Sequence, residues 1–159
     1  MQRSLYTPDY INRVLDRVEH VISSELEPIR HNGDYIIWFG SVTNKVQMTN
    51  DLFESHKSTA HYDLRCAEET VIRIRDDINK NAHSCGIPPE DRDALLCVMN
   101  RLASGLANAS ARIALFTRND HGLAQKADVV IDTLHMALAT KTSWMHYAEH
   151  VLEKLQPPE

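Results

Sequence analysis

Apolar residues recur every three or four positions along almost the whole chain, and that period admits helices and little else. The strictest run is Ala60, Leu64, Ala67, Val71, Ile74 and Ile78, a narrow seam suited to packing between helices. Gly and Pro together number only 11 of 159 residues, too few for the tight turns of an all-β sandwich. The spacing therefore predicts an all-α bundle of four to five antiparallel amphipathic helices in a single domain, residues 1–159.

Punctuation divides the pattern. Thr7-Pro8-Asp9 reads as a helix start, with a capping hydroxyl, Pro at the first helical position and an acid facing the positive end of the dipole. Ile11, Val14, Leu15, Val18, Ile22 and Leu26 form its buried face, and Pro28 with Asn32-Gly33 is expected to stop it. A second stripe runs Tyr35, Trp38, Phe39, Val42 and Val46. A single helix over 35–84 would be ~75 Å long, too long for a domain of this size, so a break near Thr49-Asn50-Asp51 is expected. Gly86-Ile87-Pro88-Pro89 separates the next helix, whose face is Leu95, Val98, Met99, Leu102, Leu106, Ala109, Ile113 and Phe116. Asn119-Asp120-His121-Gly122 closes it. The last helix is expected to run unbroken through Leu123, Ala127, Val130, Ile131, Leu134, Leu138, Met145, Ala148 and Leu152.

Composition narrows the function classes. Seventeen Lys and Arg against 22 Asp and Glu give a net charge of -5, without the basic surplus or stripe that nucleic-acid binders usually show. The longest wholly apolar run, Ala94–Met99, is far below the ~20 residues of a membrane span. No signal-peptide pattern precedes Pro8, so a cytoplasmic protein without direct membrane insertion is expected. Cys66, Cys85 and Cys97 are widely spaced and form no CxxC, which reads as reduced thiols. There is no GxSxG and no Gly-rich phosphate loop, so no catalytic residue is assigned.

The stretch from Glu68 to Phe116 carries a resemblance. Glu68 lies on a helix continuing through Ile74, Asp77 and Ile78. It is followed by Pro89-Glu90-Asp91-Arg92-Asp93 and a long helix ending Ala111-Arg112-Ile113-Ala114-Leu115-Phe116. This resembles the PhoU-like phosphate-transport accessory family, in the branch found beside low-affinity phosphate transporters. Pro89, Asp91 and Arg92 match the family's helix start without a gap from Glu68. Asp93, Ala94 and Leu95 depart from its Glu-Asp-Ile. The resemblance implies a non-enzymatic accessory or regulatory protein acting through protein–protein contacts, with a transporter or regulatory component as partner. It also implies a further helix pair that has no counterpart after residue 156. Members with a metal cluster place acids one turn apart on neighbouring helices, where carboxylates four apart share a face. Here Ile72, Ala103 and Ala107 occupy three of those four positions. No cofactor is therefore expected, and Glu68 should turn toward solvent or toward Arg65.

A second reading comes from His146 and His150, one turn apart, which can bind Zn, Ni or Fe if a third ligand arrives from another helix. That arrangement resembles a damage-inducible-type helical metalloprotein, and implies a metal-dependent hydrolase or transferase. His135 lies ~16 Å along the axis from His146 and cannot join the pair, leaving His56, His61 or an acid elsewhere. His56 and His61 themselves read as surface or turn positions. Tyr35, Trp38 and Phe39 fit a core stripe better than a docking anchor. The small residues Ala103, Gly105, Ala107, Ala109 and Ala111 permit close helix approach. Finally, the Ala60–Ile78 seam is expected to leave apolar surface for a homodimer.

Overall fold

The computed structural model describes residues 8–32, 48–150 and Lys154. Among the described residues there is no strand. Helix α1 (Pro8–Val21) passes through a π-helical turn (Ile22–Leu26) into a helical continuation over 27–32. Four further helices follow: α2 (Asn50–Asn81), α3 (Pro89–Ile113), α4 (Leu123–Leu138) and α5 (Lys141–His150). Helices α1 to α4 pack as an antiparallel bundle in the order α1, α2, α3, α4, with α4 returning to α1. α5 lies across α3 and α1. The side-chain bonds Lys57 to the Phe116 carbonyl and Arg75 to Asn100 show that α2 and α3 run in opposite directions. No described helix is long and apolar enough to cross a membrane.

Helix boundaries follow local chemistry. Thr49, in an extended conformation, caps α2 by accepting the Leu52 N–H on Oγ1 at 3.2 Å, so the expected break falls at Thr49-Asn50. The α2 end is closed by two bonds, Gly86 N–H to the His83 carbonyl and Ile87 N–H to the Ala82 carbonyl. That pair of bonds needs a left-handed residue, which Gly86 supplies at φ 75°, while Ile87 drops into the core. Pro89 opens α3 at its first turn, with Glu90 and Asp91 beside it. In the α3–α4 turn Asp120 accepts from Lys126 and from the Gly122 N–H at 2.8 Å. These two donors, Lys126 foremost, hold its carboxyl below the usual carboxylate range.

The α2 seam is buried as the period predicts, whereas Val14, Val98, Leu138 and Met145 are only half-buried. Ala60, Leu64, Ala67, Val71, Ile74 and Ile78 are all buried, in one hydrophobic cluster with Leu15, Val18 and Leu26 of the first helical segment and Leu95, Met99, Leu102 and Leu106 of α3. That corrects one expectation: the seam proposed for dimerisation is covered within the monomer by α1 and α3.

Two boundaries also differ from the sequence reading. Pro28 does not stop the first helix. The π turn, with Glu27 N–H bonded to the Ile22 carbonyl five residues back, widens the helix just before Pro28. There the ring would otherwise press on the preceding turn. The final helix, in turn, is not continuous. Thr140 Oγ1 donates to the Ala137 carbonyl at 2.7 Å, and the chain restarts at Lys141 with Trp144 N–H bonded to the Thr140 carbonyl. The rephasing turns Trp144 into the core at 1% exposure.

One end of the bundle is tied by polar bonds. Asn32, buried at 4% exposure, accepts the Met48 N–H on Oδ1 and donates to the Arg118 carbonyl. Arg118 donates in turn to the Met48 carbonyl at 3.0 Å. The stripe from Tyr35 to Val46, with Trp38 and Phe39, lies outside the described residues.

Candidate functional site

The nominated metal pair sits on α5. His146 is exposed and meets Tyr147 edge-on, with ring centroids 5.2 Å apart. The side chain of His150 lies outside the described residues. His135 is exposed on α4, and His61 is half-buried on α2. Among the described residues no three His, Cys, Asp or Glu side chains come together in a group able to hold a metal ion.

Glu68 and Ile72 lie within α2 and Ala103 and Ala107 within α3, while Pro89, Asp91 and Arg92 lie at the start of α3. Glu68 is 17% exposed and its Oε1 lies 3.7 Å from Arg65 Nε, the direction the sequence reading expects. Ile72 packs partly buried against the core, Ala103 is buried and Ala107 half-buried. Pro89, Asp91 and Arg92 build the start of α3: Arg92 N–H bonds the Pro88 carbonyl at 3.0 Å, and its guanidinium reaches Asp93 at 3.1 Å.

Sequence reasoning missed a cross-helix pair. His56 Nδ1 lies 2.6 Å from Glu25 Oε2, with side chains only 20% and 15% exposed, so His56 is not the surface or turn position expected of it. Glu25 belongs to the π turn, and the contact braces that widened turn against α2. The signal was available, since His56 stands three residues after Phe53 and four before Ala60, on the stripe that both bury. A carboxylate on Nδ1 orients the ring and leaves Nε2 for any further partner. We expect a Glu25→Gln, His56→Gln double-mutant cycle in urea to give a coupling of about 1–2 kcal/mol. Additive losses would show that the two side chains act separately.

A groove of about 1070 Å³ lies between α3 and the α4–α5 side. Its floor is the close approach of Gly105 and Ala137, and its rim includes Asp93, Arg101, Arg112 and Met136. Met136 is 75% exposed. The rim is mixed in charge and open, which suits a macromolecular surface better than a small ligand requiring enclosure. No protein-family model, curated protein or solved structure matches the chain.

Proposed function

We propose that this chain is a non-enzymatic, PhoU-like accessory or regulatory protein that acts through protein–protein contacts in the cytoplasm. Its partner on this reading is a phosphate transporter or a component of its regulation. The observation that supports the reading is the α2–α3 boundary. The helix start at Pro89, Asp91 and Arg92 follows the family pattern, while Ile72, Ala103 and Ala107 supply apolar packing where metal-bearing members carry acids. Glu68, the remaining acid, is turned to Arg65. A bundle with these substitutions keeps the scaffold and gives up the converging carboxylates that a bound cation would need.

The test is affinity capture with the intact chain from cells grown at low and at high phosphate. Recovery of a transport or regulatory component is expected, and its absence under both conditions would overturn the proposal. Metal addition provides a second check. Free metal at roughly 100 times its dissociation constant would stabilise a binding protein by ~2.7 kcal/mol, and we expect no such rise in the melt with iron or zinc. Stoichiometric Zn, Ni or Fe that disappears in a His146→Ala, His150→Ala variant would instead establish the alternative, a metal-dependent hydrolase or transferase built on those histidines.

A further inference from the structure

The groove beside α3 is lined along one side by Asp93, Cys97, Arg101, Ser104, Asn108 and Arg112. All six are exposed. Their steps are four, four, three, four and four, which keeps them on one helical face for ~28 Å. The series reads the same in both directions, and its charges do not: the acid stands at one end and arginines in the middle and at the other end. Reversing the helix therefore superimposes the stripe on itself with opposite charges facing at the ends.

We propose that this groove is the docking surface for a second copy of the same chain, with the two α3 helices antiparallel about a two-fold axis between Arg101 and Ser104. In that register Asp93 faces the Arg112 position of the other copy, Cys97 faces Asn108, and Arg101 faces Ser104, each pair occurring twice as an isologous contact demands. The two α3 dipoles also oppose. Small side chains at Ser104, Gly105 and Ala137 let the incoming helix sit deep, and Met136 on the rim becomes covered. Present local bonds do not obstruct this. Arg92 to Asp93 and Arg112 to Asn108 are exposed contacts that can exchange for intermolecular ones. Affinity on this scheme comes from filling the groove, while the end charges fix register and reject a parallel pairing. An acidic partner helix would complement Arg101 and Arg112 but meet repulsion at Asp93, whereas a second copy pairs Asp93 with Arg112 at both ends and leaves the two Arg101 side chains, about one turn apart beside the axis, to point outward to solvent. The proposal uses a different face from the buried Ala60–Ile78 seam and stands whether or not a phosphate-linked partner exists.

Sedimentation equilibrium on the intact chain at micromolar concentration tests it, with far-UV circular dichroism confirming that each variant is folded. A dimer is expected. Asp93→Arg and Arg112→Asp should each weaken it roughly tenfold or more, and the Asp93→Arg, Arg112→Asp double variant should recover most of that loss. Asn108→Cys should crosslink to the native Cys97 of a second copy with a short bismaleimide. A monomer at all concentrations would overturn the proposal and give the groove to another protein. A dimer whose affinity ignores both single reversals would place the interface elsewhere. Weakening by each reversal without recovery in the double variant would refute the antiparallel register.

Discussion

Trp144→Ala is expected to lower stability by ~3–5 kcal/mol, the range for removing a large aromatic from a packed core. For a domain of this length that corresponds to roughly 6–20 °C in the melting midpoint. The side chain is 1% exposed and belongs to α5, which reaches the rest of the bundle across α3 and α1. α5 spans Lys141–His150, and a helix this short has little stability without tertiary packing. Loss of this buried group should therefore also release α5, seen as faster amide exchange over 141–150 before the bundle opens. Trp144→Phe separates packing from polarity. The indole Nε1 is buried with no hydrogen-bond partner among the described residues, so phenylalanine keeps much of the ring and removes a donor that is costly to leave unpaired. It should lose less than half as much. A Trp144→Ala change within about 1 kcal/mol of the parent would show that α5 is not anchored by this residue.

That same tryptophan shows where the sequence stops being readable. With an unbroken final helix, Leu134, Leu138 and Met145 extend one stripe, and Trp144 appears only as a neighbour of the two histidines. A one-hydroxyl event decides otherwise: Thr140 bonds the Ala137 carbonyl, and the restart at Lys141 shifts the phase. Period alone cannot register a break that no Gly or Pro marks. At Pro28 the converse holds. The breaker is visible, but the π turn that accommodates it depends on how Ile22 and Leu26 pack, which is a tertiary matter. By contrast, Thr49 and Gly86 act through bonds within a few residues, and both ends of α2 were legible. The Ala60–Ile78 seam was legible as a buried face; which surface buried it was not, because one face can be covered from within or by another copy.

Polar cross-links follow the same division. Arg65 and Glu68, three apart on one helix, are a local pair. Glu25 and His56 stand 31 apart, and only the antiparallel pairing of α1 with α2 brings them together. The groove likewise depends on a small-residue stripe that the sequence displays, but its depth and its rim come from the placement of α4. A stripe of exposed residues on one helix becomes a surface only when its neighbour is known.

Gly105 permits a prediction whose sign separates local propensity from packing. In a helix interior, Gly→Ala should gain ~1 kcal/mol by propensity alone. A Cβ at Gly105 would, however, stand 2.9 Å from the Ala137 Cβ, well inside the ~3.5–4.0 Å of a normal carbon contact. The obstructing atom is fixed to the α4 backbone and cannot rotate away, so α3 and α4 must separate by several tenths of an ångström along their shared length. Overpacking of this kind costs ~1–3 kcal/mol, which offsets and then exceeds the propensity gain. Gly105→Ala should therefore destabilise by about 1 kcal/mol, and Gly105→Leu, with no room for its branches on the groove floor, by about 3 kcal/mol. Exchanging the methyl between helices is the decisive control. Gly105→Ala with Ala137→Gly restores the approach distance, and most of the loss in the first variant should return. A Gly105→Ala protein more stable than the parent, with no coupling to position 137, would show that the two helices are not held at the separation on which the groove depends.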